Sequence, residues 1–135
     1  MTSPLVYELA RRVNAEDLDE LAHVNNVVYV SWVQEIATAH WRALAPPEAL
    51  EQLAWVARRH EIDYLAPAVL GDAIVLRTWV GVADGLQFER HTEVRHADGR
   101  LLARARSLWV PIDPRTGRPR RPSAEVRALF SAASG

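Results

Sequence analysis

The 135-residue chain contains no cysteine. That removes disulfides, thiol catalysis and every cysteine-ligated zinc or iron–sulfur site. Lysine is missing as well: all 16 basic residues are arginine, so Schiff-base chemistry and a phosphate-loop lysine are excluded. Neither sign of charge dominates, since 16 basic and 17 acidic residues give a formal charge of -1, and a dedicated nucleic-acid or polyanion binder is not expected. No run approaches eighteen uncharged apolar residues, and the start, MTSPLVYEL, lacks both a basic and an apolar leader segment. These absences predict a soluble, cytoplasmic protein without nucleic-acid or membrane partners. Glycine-rich phosphate or dinucleotide loops, an HExxH pair and a G-x-S-x-G elbow are also absent. His91 and His96 lie five apart, on opposite faces of one strand, and no metal site is expected.

What is present is a globular composition, 49% hydrophobic and 24% charged, without repeats or linkers, so a single domain spanning 1–135 is expected. Residues 5–13 alternate, with Leu5, Tyr7, Leu9 and Val13 on one face, and read as a strand. A polar stretch follows, and then 27–44, VVYVSWVQEIATAHWRAL. Its Ser31, Glu35, Thr38 and Arg42 fall on one narrow helical stripe while Trp32, Val33, Ile36, Ala37 and Trp41 are apolar. A helix with so wide an apolar face must be largely enclosed. Asn25 or Asn26 is a suitable N-cap, and Pro46-Pro47 is expected to close it. From there the period is two: strands are expected at 53–65, 73–82, 86–96 and 101–112, with Ala-Asp-Gly turns at 83–85 and 97–99. Ser123 is positioned to cap a short terminal helix. The expected architecture is α+β: an antiparallel five-stranded sheet wrapped around one long central helix, the last four strands in a meander, with a short C-terminal helix.

Chemistry-bearing residues concentrate just before the long helix, in Asp17, Asp19, Glu20, His23, Asn25 and Asn26. A helix N-terminus offers free N–H groups and partial positive charge, which suits a developing oxyanion. A carboxylate a few residues upstream is then placed to act on whatever sits there. The same residues also suit a plain polar loop with an asparagine cap, and the spacing alone does not choose between the two. Two carboxylates as close as Asp17 and Asp19 can share a site and split their pKa values; a solvated Asp17 is the simpler alternative. His23 is read either as orienting Asp19 or water, or as bracing the loop. Glu35 is expected on the polar stripe, solvated or at an interface, and Asp63 to brace the loop fold.

DLDELAHVNNVVYVSW followed by EIDYLAPAVLGD resembles the hotdog-fold acyl-CoA thioesterases of the 4-hydroxybenzoyl-CoA thioesterase type. The resemblance rests on Asp19 with Tyr29 ten residues on, then Asp63, Tyr64, Pro67, Gly71 and Asp72, then Val110, Asp113, Gly117 and Pro119. It runs collinearly from about residue 5 to 130. The HVNN-x-x-Y piece also resembles plant acyl-carrier-protein thioesterases, but Leu21 stands where those have an asparagine and the acid after the Tyr64 position is missing. The resemblance implies an acyl-CoA thioesterase that needs neither metal nor organic cofactor. Asp19 becomes the catalytic carboxylate, as nucleophile or base, and the Asn26 backbone N–H polarises the carbonyl. Val28, Tyr29, Trp32 and Ile36, with Asn25, would line the acyl-CoA site. Arg90, Arg104 and Arg106, read as outward-facing, and Arg118 in the tail are candidates for the coenzyme A phosphates. A homo-oligomer is implied, dimer or tetramer, with sites at subunit junctions. Two alternatives stay open: a non-catalytic acyl-thioester-binding module, and a hydratase. For the latter, Asp19 and His23 have three residues between them, and Asp17 and His23 five, where the hydratases have four.

Overall fold

The computed structural model describes residues 6–130, so Leu5 lies outside the described residues. Five strands are formed: β1 (Tyr7–Arg12), β2 (Ala54–Tyr64), β3 (Ala73–Asp84), β4 (Gln87–His96) and β5 (Leu101–Ile112). Three helices accompany them, α1 (Asn26–Leu44), α2 (Pro47–Gln52) and α3 (Ala124–Phe130). The expected sheet around one long helix is the architecture found. Gly85 (φ 64°) and Gly99 (φ 99°) supply the left-handed backbone that the two hairpin turns require.

The strand order corrects one expectation. The sheet is antiparallel in the order β1-β3-β4-β5-β2, so only β3, β4 and β5 form a meander. β2 pairs with β5, from Ala54↔Ile112 to Tyr64↔Ala103, at the edge opposite β1. The segment after β2 is therefore a crossover rather than a hairpin. It is tied to the other polar loop by Val24 N–H to Ala68 C=O (2.9 Å) and Gly71 N–H to Val13 C=O (3.0 Å). Pro67 in that segment carries no two-residue turn signal, which is consistent with a longer route.

Asn25 is the N-cap of α1, its Oδ1 accepting from the Val27 N–H at 3.0 Å. The helix spans 19 residues, about 28 Å at 1.5 Å per residue. Pro46-Pro47 does end it, but Pro47 also opens α2, a helix the sequence reading did not include. Proline suits that first position because its missing N–H would be unpaired there anyway. Among the described residues no helix is long and apolar enough to cross a membrane.

The buried face of α1 carries Tyr29, Trp32, Val33, Ile36, Ala37, His40 and Trp41, at three- and four-residue spacing. Ser31, Glu35, Thr38 and Arg42 are exposed, as the stripe predicts. Two apolar clusters fill the space against the sheet. One lies under the first half of α1 with Ile36, Ile74, Leu76, Val94 and Leu102. The other lies under its end with Trp41, Leu53, Val80, Phe88 and Phe130. Between them runs a buried polar layer of His40, Thr78, Arg90 and Thr92.

Candidate active site

The loop before α1 is a short stem with a tight tip. Leu18 and Val24 face each other as an antiparallel bridge, and the Asp17 carbonyl accepts from the Asn25 N–H at 2.8 Å. That bond closes the loop onto the first residues of the helix. Asp17 also uses its carboxylate structurally, Oδ2 accepting from the Asn14 N–H at 2.9 Å. A local side-chain-to-backbone bond of this kind is what short acidic residues favour in turns.

Asp19 sits at the tip, exposed to solvent. Its Oδ1 accepts from two backbone donors, Leu21 N–H at 2.9 Å and His23 N–H at 3.3 Å. Its own backbone closes the turn, N–H to His23 C=O at 2.8 Å and C=O from Ala22 N–H at 3.0 Å. Ala22 carries φ 61°, the only described non-glycine residue with positive φ. The turn therefore accepts some backbone strain to hold the carboxylate in one orientation. Oδ2 has no hydrogen-bond partner among the described residues. His23 holds Asp19 through its backbone, and its half-buried ring makes no hydrogen bond among the described residues.

The helix start offers the complementary donor. The Val27 N–H is taken by the Asn25 side chain and the Val28 N–H by the Asn25 carbonyl. Among the described residues nothing accepts from the Asn26 N–H. The Asn26 carbonyl receives the Tyr64 hydroxyl at 3.3 Å. Tyr64 thus belongs to the rim of the site, although the sequence offered it only as part of the Asp-Tyr-x-x-Pro match. Its ring stands edge-on to Tyr29, 5.4 Å between centroids. Burial pushes the Tyr29 hydroxyl above the ordinary phenol value, with the Ala68 backbone amide pulling the other way.

The other assigned residues separate into groups. Val28 is half-buried, and Tyr29, Trp32 and Ile36 are packed into the first core cluster. Arg104 and Arg106 do lie on the outer face of the sheet, but both are matched: Arg104 with Asp63 at 3.2 Å, and Arg106 with Glu89 at 2.7 Å. Burial raises the Glu89 carboxyl, but hydrogen bonds from Arg106 and His91 outweigh it and leave Glu89 below its ordinary value. Arg118 is exposed in the turn after β5, outside any ion pair among the described residues. Arg90 corrects an expectation. It points into the core and is 8% exposed, because it shares the inward register of Phe88, Thr92 and Val94. Among the described residues no three histidine or acidic side chains gather as metal ligands.

A family model described as the thioesterase-like superfamily matches residues 13–130. The acyl-CoA thioester hydrolase YbgC of Escherichia coli O6:H1 (strain CFT073) is 28% identical over 122 residues, 88% of this chain and 91% of that protein. Among solved structures, a thioesterase from Thermus thermophilus complexed with coenzyme A and zinc superposes with a TM-score of 0.80 at 24% identity, covering 94% of this chain and 98% of the other. The 1,4-dihydroxy-2-naphthoyl-CoA thioesterase Slr0204 from Synechocystis gives 0.74 at 21% identity, over 91% and 93%.

Proposed function

We propose, from the premise that this chain belongs to the thioesterase-like superfamily, that it hydrolyses an acyl-CoA thioester to the free acid and coenzyme A. One observation carries the reading. A carboxylate fixed through one oxygen, with its other oxygen free, is tied by the loop stem to a helix start whose first N–H is unclaimed. The YbgC relative, an acyl-CoA thioester hydrolase, supports the choice of substrate class.

In this scheme the thioester carbonyl oxygen takes the Asn26 N–H, aided by the positive end of the α1 dipole. The Asp19 Oδ2 then either attacks the carbonyl carbon or removes a proton from an attacking water. In the base route water adds to the carbonyl, the C–S bond breaks and the proton taken by Asp19 passes to the departing thiolate. In the nucleophile route loss of the thiolate leaves an Asp19–acyl anhydride, which a water hydrolyses to the acid and the regenerated carboxylate while its proton goes to the thiolate. A positioned base contributes about 10²–10⁴-fold in rate, and one preorganised oxyanion donor about 3 kcal/mol. Asn25 serves as the cap that fixes the donor, and Asp17 as the stem that fixes the loop.

The surroundings support a homo-oligomer with the site at a subunit junction. Leu21 (74% exposed), Val27, Tyr64, Leu65 and Leu70 leave apolar surface open around the loop. Among the described residues the edge strands β1 and β2 are also unpaired on one side. Natural proteins cover such surface or pair such edges. A 15 kDa monomer by light scattering at micromolar concentration would remove this part of the reading. The activity is tested by following thiol release from acyl-CoA esters of graded chain length, aliphatic and aromatic. Turnover of at least one series is expected. Saturable binding of an acyl-CoA without any thiol release would instead favour a binding module.

A further inference from the structure

At the far end of α1 from the Asp19 loop lies a cavity of about 500 Å³. Thr38 and Trp41 on its wall are 12 and 15 residues beyond Asn26, about 18–22 Å along the helix axis. The walls are largely aromatic, with Trp41, Trp55, Phe88, Trp109 and Phe130. One wall residue is a buried cation, Arg90.

Arg90 is nine-tenths buried and has no counter-charge among the described residues. Its Nη1 donates to Thr78 Oγ1 at 3.1 Å and to His40 Nδ1 at 2.9 Å, both uncharged partners. Burial, and then the charge of Arg90 itself, push His40 down to about 4, so its ring is neutral near pH 7. Burial lowers Arg90 only to about 10, so the guanidinium keeps its proton. Among the described residues no carboxylate pairs with it, and Nε and Nη2 have no acceptor. Those two nitrogens form one edge of the planar guanidinium, the edge that grips a carboxylate with two parallel hydrogen bonds. Among the described residues, the indole N–H groups of Trp55 and Trp109 and the His40 Nε2 are buried without a hydrogen-bond partner. Buried charges are ordinarily paired, and a cavity of this size falls in the range of small-molecule sites.

We propose that this cavity binds a free apolar carboxylic acid, its carboxylate held side-on by the Nε and Nη2 of Arg90 and its hydrocarbon body among Trp41, Trp55 and Phe88. The aromatic walls favour an apolar body. The unpaired cation selects an acid over the alcohol, amide or amine of the same length. At about 30 Å³ per water-sized group the cavity holds roughly sixteen such groups, which suits an acid of around ten carbons. The site is distinct from the Asp19 loop, and the inference stands whether or not Asp19 is catalytic.

The test is a titration of the full chain with decanoate at pH 7, read by tryptophan fluorescence and by calorimetry, with decanamide and decylamine alongside. One decanoate per chain is expected, bound at least tenfold more tightly than decanamide, with decylamine weakest. Arg90→Met, an apolar replacement of similar length, is expected to lower decanoate affinity at least tenfold and leave decanamide unchanged. Thr38→Phe, on the exposed rim, keeps Arg90 and is expected to weaken both ligands. Equal affinity for decanoate and decanamide in the parent chain overturns the proposal, as does unchanged decanoate affinity in a folded Arg90→Met. Absence of binding at millimolar decanoate also overturns it. Should Arg90→Met fail to fold, the parent's acid-to-amide ratio and the Thr38→Phe titrations decide the matter.

Discussion

Replacing Asp19 by Asn separates loop geometry from chemistry. The Oδ1 of Asp19 accepts from Leu21 N–H and His23 N–H, and an asparagine Oδ1 can accept both. What disappears is the charge. Hydrogen bonds to a charged group are worth about 1.5–3 kcal/mol and neutral ones about 0.5–1.5. At a solvent-exposed tip the loss of stability is therefore expected to be on the order of 1 kcal/mol, a fall in melting temperature of about 4 °C for a chain of this size. The chemical loss is larger, because an uncharged amide is neither nucleophile nor base. Losing a positioned base lowers kcat by about 10²–10⁴-fold, or about 3–5 kcal/mol in the barrier at 1.36 kcal/mol per decade. Thiol release under saturating acyl-CoA measures kcat, and calorimetric titration with a non-hydrolysable acyl-CoA analogue measures binding, which is expected to change little. Asp17→Asn is the internal control. Its Oδ2 holds the Asn14 N–H, an asparagine oxygen can do the same, and only a several-fold loss is expected. Asp19→Asn turning over within threefold of the parent would refute the assignment, and a dead Asp17→Asn beside it would move the catalytic carboxylate two residues upstream.

Ile36→Asp, at a position with no exposed surface, should cost several kcal/mol by burying a charge without a partner, whereas Arg42→Asp on the exposed stripe should be mild; equal losses in urea melts would mean the helical phase is wrong. The His40 pKa is about 4 in the folded chain against about 6.5 unfolded. Between those values the unfolded state binds the proton and the folded state does not, so stability is present above about pH 6.5, falls with pH, and levels off below about pH 4. That slope amounts to about 2 kcal/mol by pH 5, and His40→Gln should lose it in urea melts compared at pH 7 and pH 5. Ala22, at φ 61°, occupies backbone that favours glycine, so Ala22→Gly should leave stability unchanged or raise it by up to about 1 kcal/mol, and a marked drop in melting temperature would show that the Ala22 methyl packs against something the strain argument omits.

The helix was legible because burial imposes one period on α1: the exposed positions Ser31, Glu35, Thr38 and Arg42 are those the stripe picks out. The strands were legible for the same reason, but their order was not. Alternation says which face a residue takes and nothing about which strand lies beside it, and so the β2–β5 pairing was missed. Arg90 was misplaced because its charge was weighed above its register. Phe88, Arg90, Thr92 and Val94 alternate inward together, so the signal was in the sequence. His40 shows the same conflict, a polar residue four positions after Ile36 on the buried face. In the loop, the grouping of Asp17, Asp19 and Asn25 before a helix was readable. Which carboxylate holds the stem and which the tip was not, because it depends on the Leu18–Val24 bridge and the positive φ of Ala22.

The two ends of α1 face opposite electrostatic problems, and the chain meets them with opposite means. At the N-terminus the free N–H groups need acceptors, and Asn25 supplies two of them while leaving the Asn26 N–H open. Solvent is close there, so a carboxylate at the tip of the loop needs no buried partner. Further along the helix the polar layer is buried, Arg90 reaching only the wall of the aromatic cavity, and a charge there has less relief from solvent. His40 therefore gives up its proton, while Arg90, whose intrinsic pKa is far higher, keeps its own. Two adjacent basic groups in one buried layer thus resolve into a neutral acceptor and an unpaired cation. Replacing the cation by a well-packed apolar side chain is often neutral or stabilising in such a setting. A cation that only filled space beside the Trp41, Trp55 and Phe88 walls would thus be a poor solution to packing, whereas one on the wall of an aromatic cavity is a solution to recognition.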